Sequence, residues 1–164
     1  MALVSLPEKP LNKPVPRTYK RASPDAVRLL VFDLLTEVNR SDGYSNLLLP
    51  QALTASKFDD RDKAFATELL YGTLRMQGRH DWILAQVSNR PWDQVDPGVI
   101  DVGRMALQQI HEMRVPDHAA VSASVDIARK RLGEAQGSFV NALLRAVLKK
   151  SLEEWLAPLG EVKD

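Results

Sequence analysis

Apolar residues recur at helical spacing in one segment of this chain after another, and nowhere do they alternate with the two-residue period of a half-buried strand. The clearest case is late in the chain. Val140, Leu143, Leu144, Val147 and Leu148 fall at i, i+3, i+4, i+7 and i+8, so they form a stripe that must face a core. Asn141, Arg145, Lys149 and Lys150 then lie towards the other side, giving one short helix a packing face and a basic face. Gly133 is expected to end the preceding helix, with Gly137-Ser138 opening this one after a polar loop.

The same pattern predicts helices upstream. Ser23-Pro24-Asp25 combines an N-cap, a first-turn proline and an acid at the positive helix end. Val27, Leu30, Val31, Leu34, Leu35 and Val38 continue that helix until Ser41-Asp42-Gly43. A second helix over Ser45 to Ala55 contains Pro50, which should bend or shorten it. Asp59, Asp60 and Asp62 begin a third, striped by Ala66, Leu69, Leu70 and Leu74, with Gln77-Gly78 as its stop. Trp82, Ile83 and Val87 suggest a short fourth. Asp96-Pro97 repeats the capped start for the stripe Val99, Val102, Gly103, Ala106, Leu107 and Ile110, which ends at Val115-Pro116. A sixth helix from Pro116 or Asp117 carries Val121, Val125 and Ala128. Ser151-Leu152-Glu153-Glu154 reads as a capping box, but Pro158 and Gly160 should interrupt the element it begins.

This organisation sets the expected domains. Residues 1–22 form a flexible basic arm, rich in proline and unable to offset the entropy of ordering. Residues 23–150 form one all-α domain, and 151–164 are a linker or the start of a further element. A chain of 164 residues can bury such a core without disulfides or metals. Cysteine is absent, which excludes disulfides, thiolate metal sites and a cysteine nucleophile from this segment. His80, His111 and His118 lack the i, i+4 spacing that aligns two metal ligands on a helix, and are expected at the surface or its boundary. The acids at 59, 60 and 62 fit a helix start better than a metal cage. No apolar run approaches the roughly 20 residues that span a bilayer, and the start lacks a signal-peptide core; a cytoplasmic protein is expected.

The net charge of +1 conceals two basic clusters. One is the arm, with Arg17, Lys20 and Arg21 beside Tyr19, and Arg28 extending it onto the first helix. The other comprises Arg129, Lys130, Arg131, Arg145 and Lys149. Guanidinium and ammonium groups neutralise phosphates and a tyrosine stacks on an unpaired base, so both clusters permit RNA as partner. Solvated helix faces would carry the same charges.

Four separated pieces, in order, carry a family resemblance: Ala66-Thr67-Glu68-Leu69-Leu70-Tyr71-Gly72-Thr73-Leu74-Arg75, Leu107 through Pro116, Ala119 through Ala128, and Gly137-Ser138-Phe139-Val140-Asn141-Ala142-Leu143-Leu144-Arg145. Together they resemble the NusB family, and more closely the NusB-like domain at the front of Sun/Fmu-type ribosomal RNA methyltransferases. The resemblance covers roughly residues 24–150 and implies about seven helices in two packed subdomains. It further implies RNA binding, with small-subunit ribosomal RNA as the partner and a cytosine-C5 methyltransferase as the parent. In such enzymes the cysteines and S-adenosylmethionine belong to a Rossmann-like domain. Neither cysteine nor a strand followed by a glycine-rich turn occurs here, so this segment is expected to bind without catalysing or holding a cofactor, with the catalytic domain beyond Asp164. A stand-alone NusB-type antitermination adaptor and a helical protein-interaction module are the alternative readings.

Overall fold

The computed structural model describes residues 24–41 and 45–162, with side chains placed for 25–41 and 46–160. The arm, and with it Arg17, Lys20 and Arg21, lies outside the described residues. Within them the chain forms eight α-helices and no strand: α1 Pro24–Ser41, α2 Ser45–Ala55, α3 Asp60–Arg75, α4 Gln77–Val87, α5 Pro97–Leu107, α6 Asp117–Arg131, α7 Glu134–Val147 and α8 Leu152–Val162. A 3₁₀ turn at Trp92–Gln94 precedes α5, and a π turn at Gln108–Glu112 follows it.

Helix α5 is the hub, packing against α1, α3, α4, α6 and α7. Val99, Val102, Met105, Ala106 and Leu107 are buried, and so is Asp101 on another side of the helix. This burial nearly all round exceeds what a single stripe predicts. Asp101 is accommodated because the Asn39 side-chain amide donates to its Oδ1 over 2.9 Å and Arg104 lies 3.5 Å away. The first three helices pack on one another on one flank of α5, and α6 packs on α7 on another.

Several helix ends follow from local chemistry. Asp59 accepts from the backbone N–H of Asp62 at 2.9 Å to cap α3, and Asp96 accepts from Gly98 at 2.7 Å to cap α5. At 151–154 the reciprocal capping box is made: Ser151 N–H donates to Glu154 Oε1 (2.8 Å) and Glu154 N–H to Ser151 Oγ (3.1 Å).

Three boundaries differ from expectation, and the expected Ser45–Ala55 span of α2 holds despite its proline. Gln77-Gly78 does not stop a helix: α3 ends at Arg75, and Gln77 opens α4 after Met76 alone. Gly137-Ser138 does not open α7, which begins at Glu134. The break falls at Leu132 and Gly133, the latter at φ +131°; the Gly133 N–H donates to Ala128 O and its carbonyl accepts from Gly137 N–H. Gly137 serves close packing instead, since a Cβ there would stand 2.6 Å from Cγ of Arg129. Pro50 is carried within α2, on its exposed side, at the loss of one backbone donor. Likewise Pro158 and Gly160 do not end α8, which Trp155 anchors by donating its indole N–H to Val147 O at 2.9 Å.

Candidate nucleic-acid interface

Helices α6 and α7 pack side by side, joined through Gly133, and their outer surfaces carry the second basic cluster. Three successive cations in the last turn of α6 fan out at about 100° intervals, so they cannot share a face. Arg129 turns towards α7, where its Nε donates to Glu134 at 2.9 Å. Arg131 turns the opposite way and forks onto Asp33 of α1, with Nε and Nη2 at 2.9 and 2.8 Å from the two carboxylate oxygens. Hydrogen bonding to Asp33 raises the Arg131 pKa further above its ordinary value. Lys130, between them, is exposed.

On α7, Asn141 and Arg145 are one turn apart and face α6; Arg145 Nε donates to Asn141 Oδ1 at 3.3 Å. Lys149 lies just past the end of α7 and is exposed, while Lys150 sits 4.6 Å from the centre of the Trp155 ring. Between the two helices runs a cleft of about 460 Å³ lined by Arg129, Asn141 and Arg145, with Val121, Val125 and Leu148 as apolar lining and Asp117, His118, Ser122 and Asp126 as polar lining. A neighbouring cleft of about 520 Å³ shares Asp117 and Leu148 with it and is lined by Lys149 and Lys150. The structure thus brings Arg129, Arg145 and Lys149 to one side of the α6–α7 pair.

Arg28 does not join them. It is 7% exposed, its Nε donates to Oε1 of Gln109 at 2.5 Å, and its guanidinium lies 5.2 Å from the Phe65 ring centre. Burial lowers its pKa, partly offset by Asp25. It is an internal strut rather than a continuation of a basic surface.

A family model described as the NusB family matches residues 25–149. This chain belongs to the NusB family. Among solved structures, Thermotoga maritima NusB superposes with a TM-score of 0.73 at 20% identity, covering 84% of this chain and 99% of that one. A chain in a crystal structure of a plectonemic RNA supercoil superposes with a TM-score of 0.69 at 17% identity, over 77% of this chain and 93% of that one. The ribosomal RNA small subunit methyltransferase B of Thermus thermophilus is 37% identical over 137 residues, which is 79% of this chain and 33% of the relative. The chain spans about a third of the length of the curated relatives it matches first.

Within this NusB domain the residue pattern left two features unread. The acids and hydroxyl of the cleft were legible in principle, since Ser122, Asp126 and Arg129 recur at i, i+4 and i+7 on α6. The second feature is a buried polar knot under Gly72. His80 is fully buried, not at the boundary, and its Nε2 lies 2.9 Å from Gln108 Oε1. Burial pulls the His80 pKa down to about 4, against the opposing effect of the Gln108 hydrogen bond. No group of three or more potential metal ligands gathers among the described residues. No helix among them is long and apolar enough to cross a membrane.

Proposed function

We propose that this NusB domain is the RNA-holding part of a ribosomal RNA cytosine-C5 methyltransferase, binding small-subunit ribosomal RNA by phosphate and shape contacts. The observation that carries this reading is the 37% identity to a ribosomal RNA small subunit methyltransferase across 79% of the chain. That similarity favours an enzyme-attached domain over a stand-alone antitermination adaptor. The binding surface is the outer side of α6 and α7. Lys130 and Lys149 are exposed cations there, and the hydrogen bonds that Arg129 and Arg145 would give up for phosphate are open to solvent. Arg17, Lys20 and Arg21 of the arm add to it in this reading.

Chemistry belongs to the remainder of the parent. S-adenosylmethionine supplies the methyl group in such enzymes, but the residues here do not fit it: the described part has no strand-to-helix turn to cradle the cofactor, and the chain has no cysteine to attack cytosine. The domain positions RNA in the cytoplasm for a methyltransferase domain that comes after it in the parent chain.

The test is a titration of a small-subunit ribosomal RNA hairpin at several salt concentrations. Changing Lys130, Arg145 and Lys149 to Ala should weaken binding and flatten the plot of log affinity against log salt by about 0.7 to 0.9 per lost phosphate contact. Unchanged affinity and slope would remove this face from the RNA site.

A further inference from the structure

The α6–α7 cleft has a lining that phosphate alone does not explain. Two guanidinium groups and an amide, from Arg129, Arg145 and Asn141, share it with the carboxylates of Asp117 and Asp126. Carboxylates beside the arginines weaken the attraction of the cleft for phosphate. The fold has not consumed these acids by pairing across the cleft. Arg129 bonds Glu134 and Arg145 bonds Asn141, while Asp126 and Ser122 form no side-chain hydrogen bond or ion pair among the described residues. Asp126 therefore presents free acceptors in a cleft that also holds donors.

A nucleobase needs this combination. Its ring faces are apolar, its carbonyl and ring nitrogens accept hydrogen bonds, and the exocyclic amine of cytosine or adenine donates. Val121, Val125 and Leu148 offer the apolar surface, Asp126 the acceptor and the Asn141 amide a donor, which leaves Arg129 and Arg145 for phosphate. The cleft volume of about 460 Å³ falls within the range of sites that enclose small organic ligands. We infer that this cleft is a subsite for one unpaired cytidine or adenosine nucleotide, with the Asp126 carboxylate accepting from the exocyclic amine of the base and an arginine at the cleft taking the adjoining phosphate. The inference deepens the RNA-binding reading and rests on it.

Short single-stranded oligomers of cytidine, adenosine or uridine separate the possibilities, measured with the full chain beside the structured ribosomal RNA hairpin. Uracil lacks the amine, so the cytidine or adenosine oligomer should bind about fivefold or more tighter than the uridine one, as one discriminating hydrogen bond allows. Asp126→Asn should erase that preference while leaving the salt slope unchanged, because the phosphate contacts remain. Asp126 is exposed, so the variant should fold, and an unchanged thermal melt verifies it. Hairpin binding without base preference, or a preference that survives Asp126→Asn, overturns the subsite and leaves the general RNA reading standing. Failure to bind either hairpin or oligomers overturns both.

Discussion

Arg28 on α1 donates its Nε to Oε1 of Gln109 in the π turn, joining residues 81 apart in the chain through a bond sheltered from solvent. Gln109 is itself fixed, since its amide donates to Met105 O at 3.0 Å. The wide turn allows both Gln108 and Gln109 to point inward, which successive α-helical positions, about 100° apart, would do less readily. Arg28→Ala would strand the Gln109 acceptor and remove the stack on Phe65. It should cost about 2–4 kcal/mol in urea unfolding, with no change in the salt slope of RNA binding. A flattened slope with unchanged stability would instead return Arg28 to the RNA surface.

Gly72 meets the same turn from the other side. A Cβ at this position would overlap the Gln108 amide, so this buried side chain must shift, which disturbs its bond to His80. Gly72→Ala should therefore destabilise the fold by about 1–3 kcal/mol, despite the better helix propensity of alanine. A stability equal to or above that of the parent protein would show that Gln108 yields freely.

These two positions mark the limit of what the residue pattern reveals. Stripes and caps depend on neighbours within a few positions, so the α5 start at Asp96-Pro97 and the capping box at Ser151 and Glu154 were legible. Gly72 stands in plain view in the sequence, but nothing local names Gln108 as the group beside it. The bonds of Arg28 to Gln109 and of His80 to Gln108 span 81 and 28 residues, and nothing local distinguishes such buried polar groups from solvated ones. The basic cluster suffered the same loss: consecutive cations at 129–131 read as one patch, yet helical geometry sends Arg131 to Asp33 and Arg129 towards α7. The protein's α8 was obscured by Pro158 and Gly160, whose breaking tendency yields to Trp155 docking on the end of α7.

Acid should loosen the fold through His80. Its folded-state pKa of about 4 lies below the unfolded value of 6.5, so the unfolded chain takes up a proton that the native site refuses. Stability is then level above pH 6.5 and falls as pH drops towards 4, by roughly 3 kcal/mol in all from this group. His111, also lowered by burial, contributes in the same direction. Asp101 opposes them near the lower end of this window, since burial raises its pKa and makes its protonation favour the folded state. Urea unfolding at steps from pH 7 to pH 4.5 reads the slope, and His80→Gln should reduce it. An identical slope in that variant would assign the acid sensitivity elsewhere.

The fork between Arg131 and Asp33 supplies the final prediction, because it determines how many cations the proposed RNA face can offer. The pair is exposed, with side-chain accessibilities of 39% and 45%, so its contribution to stability should be at most about 1 kcal/mol even with bidentate geometry. Its effect on charge is larger: Asp33 neutralises Arg131 and holds it towards α1, away from the α6–α7 cleft. Asp33→Asn keeps the shape while removing the negative charge, freeing Arg131 to swing beside Lys130. RNA affinity should rise, and the dependence of log affinity on log salt should steepen by about 0.7 to 0.9 if Arg131 gains one phosphate. Asp33→Asn combined with Arg131→Ala should return the slope to its original value. If Asp33→Asn instead weakens RNA binding together with thermal stability, the fork is a strut that holds α6 in place, and Arg131 belongs with the structural arginines.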